Sequence, residues 1–398
     1  MTTRSRWTAA AVLILATAIL PLRPASIDDP VRMLPWLHEG MVLTYTWYAA
    51  RAPGNGSDYQ EDEHGNWVDS NGRRYSRSTQ QGTSGSGWNE ITVACIDGQK
   101  AVLSIADFGD AGALGNNQPV PMQDGRSYVA SVADPGDFWM DPGKLSTLHS
   151  APAERVLVTH APWTGGGRSI DAVRVQVVKE GNYSDHVFDA KTGLCLHFAG
   201  SVQGAAPRLV GPGDFGQGDT TLTHGDFVST HDLSIPWALE APPDWVQVVR
   251  ALHYQGSWVS RGPLPTVPNT ISIDMEPLTR GRGWIELAST VSSEMRGMPR
   301  TAPDKSRLAA GRSQFGGLWA GPGALAKLQQ GQVLDEDPVT KMKTYVARID
   351  EHSVLISSVN AAGELDSEYD SHTGMLIGMG FFDVLNKRQY TLRLQSHQ

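Results

Sequence analysis

The chain has 398 residues, of which 19% are charged, and a formal net charge of −9. Phosphate-backbone binding needs clustered Lys and Arg, and no such stripe occurs, so a nucleic-acid partner is excluded. The 42 Gly and 24 Pro are scattered among many Val, Ile, Leu, Tyr and Trp, which excludes a disordered chain and predicts a turn-rich protein large enough for two cores.

Arg4 and Arg6 precede an uncharged, mostly apolar run from Thr8 to Leu22, which reads as a signal peptide over residues 1–26. Export to the periplasm or the extracellular medium follows, with an uncleaved anchor as the alternative. No cysteine follows the run to carry a lipid, so the mature form is expected to be soluble and membrane-peripheral at most. In an exported chain the two cysteines, Cys95 and Cys195, are expected to pair as a disulfide, the alternative being two buried thiols.

Alternation of apolar and polar residues predicts a first strand over Met41 to Tyr48. A polar insertion over 52–87 follows, with a small hairpin of Trp67 to Asp69 and Arg73 to Tyr75 around Ser70-Asn71-Gly72. Its acids Asp58, Glu61, Asp62, Glu63 and Asp69 are oxygen donors of the kind calcium takes, but in no calcium-loop spacing, and a solvated loop is expected. Glu90 to Ile96 meets Gln99 to Ala106 across Asp97-Gly98, a strong hairpin signal. Further strands are predicted at Ser127 to Val132, Arg155 to Thr159, Ala172 to Val178, Asp185 to Phe188, Leu194 to Val202 and Thr220 to Val228. After a proline-rich stretch at 235–244 they continue at Val246 to Val259, Thr270 to Asp274, Trp284 to Val291, Lys343 to Ile349, Val354 to Val359, Leu365 to Tyr369, Met375 to Phe382 and Gln389 to Leu394. Connections too short for crossover helices make these strands antiparallel.

Two echoes order this list. WMDPGKLSTL from Trp139 returns as WAGPGALAKL from Trp319, and the turn DAKTG from Asp189 returns as DSHTG from Asp370, at offsets of 180 and 181 residues. A third, around Trp47 and Trp258, keeps the same chain order at a longer offset, which places the insertion in the first copy. The fold expected is therefore mainly β: two tandem repeats of curved antiparallel sheet, each with one short helix opened by Pro142 or Pro322, repeat one over 27–234, a linker over 235–244 and repeat two over 245–398. At the level of architecture the pattern resembles curved sheets that some bacterial envelope proteins wrap around an apolar ligand.

Chemistry is sparse. No G-x-S-x-G, H-E-x-x-H, C-x-x-C or P-loop pattern occurs, and no cofactor is expected. Gly211 to Gly216 matches G-x-G-x-x-G but precedes a turn and strand instead of a helix, so it is a decoy. Counting back from the Asp189 turn places His186 opposite His197, close enough to share a metal if Asp185 or His160 joined them. His224, Asp226, His231 and Asp232 form a second polar cluster, with His231 expected beyond its strand. Trp47, Trp258, Trp139 and Trp319 recur in both repeats and read as core, whereas Trp67, Trp88 and Trp163 have no repeat partner and read as ligand contacts. Asn55 and Asn182 head sequons that matter only in a glycosylating host. The expected role is an exported, non-catalytic protein that binds an apolar or lipid-like ligand or an envelope partner; the alternatives are a carbohydrate-binding surface module and a metal-assisted hydrolase.

Overall fold

Nearly every alternating stretch becomes strand. The computed structural model describes residues 34–52, 60–61, 67–68, 74–75, 84–110, 119–121, 125–133, 135, 137–165, 168–179, 182–203, 220–260, 269–294, 303–383 and 388–398. The first half runs β1 (Met41–Ala52), β2 (Gln60–Glu61), β3 (Trp67–Val68), β4 (Arg74–Tyr75), β5 (Ser84–Asp97), β6 (Lys100–Asp110), β7 (Pro119–Pro121), β8 (Arg126–Ser131), α1 (Pro142–Thr147), β9 (Val156–Gly165), β10 (Arg168–Lys179), β11 (Asn182–Asp189), β12 (Cys195–Gln203) and β13 (Thr220–Asp232). The second runs α2 (Trp245–Val248), β14 (Leu252–Ser260), β15 (Asn269–Arg280), β16 (Trp284–Glu294), β17 (Asp304–Gly311), α3 (Pro322–Leu325), β18 (Val333–Glu336), β19 (Lys343–Ile349), β20 (Ser353–Val359), β21 (Gly363–Asp370), β22 (Leu376–Asp383) and β23 (Arg388–His397).

The protein is mainly β, with two ten-stranded antiparallel sheets. One has the order β7-β6-β5-β1-β13-β12-β11-β10-β9, with β8 also on β6; the other has the order β17-β16-β15-β14-β23-β22-β21-β20-β19-β18. In both, the first strand of the repeat pairs with its last, the rest follow as a meander, and the short helix falls in the interval between the two edges. Strands β2, β3 and β4 form a separate small sheet within the insertion.

The duplication extends to single hydrogen bonds. In repeat one Asp189 Oδ1 accepts from the amides of Lys191 and Thr192, and Gly193 turns the chain at φ +77°. In repeat two Asp370 Oδ1 accepts from His372 and Thr373, and Gly374 turns it at φ +68°. Each glycine carbonyl then accepts from the residue after the repeat tryptophan: Met140 N to Gly193 O and Ala320 N to Gly374 O, both 2.9 Å. Cys195 N bonds Phe138 O, and Leu376 N bonds Leu318 O, also at 2.9 Å. Trp139 and Trp319, almost wholly buried, bridge to Leu194 and Met375. A Cβ on either glycine would lie 1.9 Å from a peptide oxygen, Met140 O or Ala320 O, so both the positive φ and the close approach demand glycine. Pro142 and Pro322 then open the helices; in α1 Asp141 caps the amide of Lys144 at 2.9 Å.

By compactness the chain divides into two units. The first holds Thr46–Ser86 and Gly136–Phe227; the second holds Met33–Tyr45, Gly87–Pro135 and Val228–Gln398. In the first, Leu145 of α1 packs with Met140, Val173, Val175, Phe188 and Cys195 on one face of β10 to β12. In the second, one cluster gathers Leu325, Val354, Ile356, Tyr369 and Leu376, with Ile235 and Trp237 from the proline-rich stretch packed among them. Another gathers Tyr254, Leu287, Trp319 and Leu392.

Strand β9 ends its sheet with one side unpaired. The outward backbone groups of Val156 exchange bonds with Ala151, and those of Val158 are taken by the Ser150 hydroxyl, at 2.9 and 3.1 Å. Pro162, on the same outward parity, has no N–H to offer.

Four expectations change. Trp245–Val248 is a helical turn instead of the start of a strand, because Val246 and Val249, three residues apart, both bury. Strand β13 runs on to Asp232, so His231 lies within it, and β2, β7, β17 and β18 are additional strands. The expected disulfide is not formed: Cys95 and Cys195 are both buried thiols and do not pair with each other. Cys95 packs with Ala94, Val102 and Trp284 in the second unit, whereas Cys195 lies in the α1 cluster of the first. Burial, with the Glu39 carboxylate, pushes the Cys95 thiol up to about 12; burial and then Asp137 push Cys195 up as well. Thiols so suppressed are inert. The signal peptide and the Gly211 to Gly216 stretch lie outside the described residues, and no described helix is long and apolar enough to cross a membrane.

Two outcomes check this account. Gly98, at φ +60° with open space around it, isolates the backbone cost, so Gly98→Ala should lose about 1–2 kcal/mol in urea unfolding. Gly374→Ala should lose a further ~1–3 kcal/mol from the clash with Ala320 O; equal losses would refute the close-approach argument. In the native protein a thiol reagent should label neither cysteine, both should react in urea, and a reductant should leave the melting temperature unchanged.

Candidate functional site

The face of repeat one opposite α1 carries a straight transverse row. Thr159 of β9 pairs with Arg174 of β10, Arg174 with Val187 of β11, Val187 with His197 of β12, and His197 with Asp226 of β13. Five strands at the usual spacing make this row about 19 Å long. Beside it, two positions along β9 and β10, Ala161 faces Ala172, and two positions further along β9 stands Trp163. A pair of methyl side chains between an indole and a guanidinium leaves a depression. A hollow of about 440 Å³ is lined by Trp163, Ala161, Ala172, Arg174, His197 and Asp226, with Thr159, Pro162, Gln176 and Val187 completing the wall. The Trp163 ring lies over Gly165, where a Cβ would come within 1.9 Å of Cη2; glycine there gives the ring its place.

The polar groups hold one another in position. Arg174 donates from Nε to Asp185 Oδ1 at 2.9 Å and from Nη2 to Oδ2, while the Tyr183 hydroxyl (2.8 Å) and Gln176 Nε2 (3.2 Å) also donate to Oδ2. Burial works against the charge on Asp185, but Arg174 and then Tyr183 outweigh it and hold the carboxyl below the usual range. Asp185 therefore fixes the guanidinium as a rigid fork whose other end is half exposed. His197 Nδ1 meets Asp226 Oδ1 at 2.7 Å. Asp226 is tied to β1 through its amide and carbonyl, both bonded to Thr46 Oγ1. His224 stacks on His197 and lies tilted against Tyr48, with ring centroids 6.5 and 5.0 Å away.

Repeat two has the same row with different contents: Arg348, Leu355, Glu368, Gly378 and Arg393. Here Glu368 is buried and accepts from Arg348 Nη2 (2.8 Å), from Ser353 Oγ (2.7 Å) and from Arg393 Nη1. The Arg393 side chain reaches Glu368 across Gly378, where a Cβ would stand 2.8 Å from Nη1. The second row is thus filled by its own ion pairs, and the first is open.

The structure rearranges the sequence-derived candidates. His186 and His197 are not opposed: a bulge between Val187 and Phe188 shifts the register, so His186 pairs with Phe198 and the two histidines point to opposite faces. His186 Nε2 lies 3.1 Å from Asp137, Asp185 is committed to Arg174, and the register places His160 opposite Val173, on the α1 face. Among the described residues no group of three His, Cys, Asp or Glu could hold a metal. Trp163 lines the hollow; Trp88, half-buried, pairs with Phe108 in β5 and β6. Trp67 pairs through its backbone with Glu61 and Tyr75, and Asp58, Asp62, Glu63 and Asp69 lie outside the described residues. The cluster His224, Asp226, His231 and Asp232 divides, with Asp232 bonded to His38 at 2.7 Å. Arg174 and Asp185 as a fixed pair were missed, although two polar residues set diagonally across a Val-rich hairpin are a sequence signal.

His231 belongs to another cluster, in the second unit. Its Nδ1 lies 3.1 Å from Asp337 and its Nε2 3.6 Å from Asp335. Thr340 Oγ1 bonds both Asp337 (2.9 Å) and Glu90 (2.6 Å). Burial, then Asp337, pushes the Glu90 carboxyl well above its usual range. Burial lowers the His231 value, but Asp335 and Asp337 outweigh it and raise the imidazole overall.

No protein-family profile matches the chain, and no curated protein matches it. Among solved structures, it is similar to a protein of unknown function from the DUF3598 family of Nostoc punctiforme PCC 73102, at 9% identity and a TM-score of 0.15, covering 90% of this chain and 96% of that one. It is also similar to a structure described as PNGF-II, at 8% identity and a TM-score of 0.15, covering 88% of this chain and 67% of that one. Likeness at that level carries no argument about function.

The Glu90 and His231 shifts have one sign. Both groups bind protons more tightly when folded, so the stability they supply is complete below their unfolded values of 4.5 and 6.5 and is lost as pH rises through the raised folded values. Between about pH 5 and 8, where ordinary carboxylates are already ionised, the melting temperature should fall as pH rises. Glu90→Gln, which keeps the Thr340 bond, should flatten that slope; an unchanged slope would remove Glu90 from the account.

Proposed function

We propose that the chain is a non-catalytic, ligand-binding β protein and that the open row of repeat one receives the ligand. The observation that carries this reading is the contrast between the rows: at matching positions repeat two closes on itself through Glu368, whereas repeat one keeps a hollow of about 440 Å³ edged by a tryptophan. That volume lies within the range of small-molecule sites, and its polar groups are held by second partners before any ligand arrives. The lining supports binding over catalysis. His197 and Asp226 form an imidazole–carboxylate pair, but the one hydroxyl side chain in the lining, Thr159, stands three strands from His197, about 14 Å away. An exported location goes with this reading, on the strength of Arg4, Arg6 and the apolar run that follows them.

The site is tested by filling it. Ala161 is exposed on an edge strand, so Ala161→Leu should raise the floor of the hollow without disturbing the core. In a ligand-observed NMR screen of mixed apolar, charged and neutral polar small molecules, the binders should vanish with Ala161→Leu and weaken about tenfold or more with Trp163→Ala, a loss of roughly 1.4 kcal/mol. A screen whose binders ignore both substitutions would sink the proposal.

A further inference from the structure

Resting on that reading, we propose that the ligand of the open row is a neutral saccharide, with one ring against Trp163 and its hydroxyls shared between Arg174 and Asp226.

Charge favours a neutral occupant. The charged groups of the hollow come in pairs already made, Arg174 with Asp185 and His197 with Asp226. An ionic ligand would give up its own hydration without meeting an uncompensated charge in return. A purely apolar ligand would cover Arg174, Gln176, His197 and Asp226 without giving them bonds, which costs free energy for each group. A hydroxyl escapes both penalties, because it donates and accepts at once.

The pairs also leave polar atoms over. The Asp185 bonds use Nε and Nη2 of Arg174 and not Nη1, and the His197 contact uses Oδ1 of Asp226 and not Oδ2. Arg174 is 51% exposed and Asp226 52%, so a donor and an acceptor stand in the open at two points of one row. Shape favours a ring. The methyl floor of Ala161 and Ala172 beside the Trp163 indole suits a ring with a C–H face, and a row about 19 Å long is longer than one sugar ring. A short oligosaccharide is the occupant these features describe.

The test is isothermal titration of the full chain with cellotriose, maltotriose and N,N′-diacetylchitobiose, and with laurate and 2-naphthoate as counter-probes. The expected result is heat from at least one saccharide and none from the counter-probes, abolished by Ala161→Leu and weakened about tenfold by Asp226→Ala, with melting temperatures unchanged. If laurate or naphthoate binds in an Ala161-sensitive way and no saccharide does, the hollow stands as a binding site and the saccharide assignment falls. Saccharide binding that is indifferent to both substitutions also overturns it. If no probe binds and the NMR screen is empty as well, the ligand-binding reading itself has failed.

Discussion

The constraint on which both repeats depend is the approach of a peptide oxygen to a turn residue that has no side chain. Met140 O over Gly193 and Ala320 O over Gly374 dock the tryptophan segment against the β11–β12 and β21–β22 hairpins. That contact sets where the helix-opening proline falls, seats a buried indole beside the turn, and fixes the register at which each hairpin starts. The neighbouring Asp and Thr bond their own turn amides, so the loop arrives preorganised and the glycine is left to accept the neighbouring strand segment. Both copies keep the motif because neither half can be altered alone.

From that common frame the repeats diverge on the opposite face of the sheet. The bulge after each turn, at Val187/Phe188 and at Glu368/Tyr369, places equivalent residues in the transverse rows. Substituting Glu368 for Val187 and Arg393 for Asp226 turns a lined depression into a closed ion-pair knot, while Gly378 in place of His197 makes room for the crossing arginine. One scaffold thus supports both a self-filled row and an open one on the same run of five neighbouring strands.

Much of this was legible in the sequence. Period-two patterning located most strands, and the paired Trp-x-x-Pro-Gly and Asp-x-x-Thr-Gly segments located the duplication and its turns. The bulges were not legible: one extra residue leaves the alternation of each strand intact on either side, yet it turns His186 away from His197 and dissolves the metal pair. The disulfide expectation rested on compartment and even count, and neither says where two side chains point. The hollow was invisible for a related reason. It arises from Ala161 and Ala172 lying between Trp163 and Arg174, and their smallness gains meaning only once register sets them side by side. His231 was misplaced because β13 continues through a Ser-Thr-His segment that carries no apolar alternation, its imidazole facing Asp335 and Asp337.

The edge strand β9 has a consequence for the behaviour of the chain in a crowded compartment. A free sheet margin is a template on which foreign or identical chains can zip, and long exposed margins are where fibrils begin. On β9 the docking groups are spoken for at Val156 and Val158 by the chain's own Ala151 and Ser150, and Pro162 offers a carbonyl but no donor, so a stranger would find a donor and an acceptor together only at His160 and Thr164, with the proline between them. The strand that carries Trp163 is thereby shielded from recruitment into an aggregate while its broad side stays uncovered.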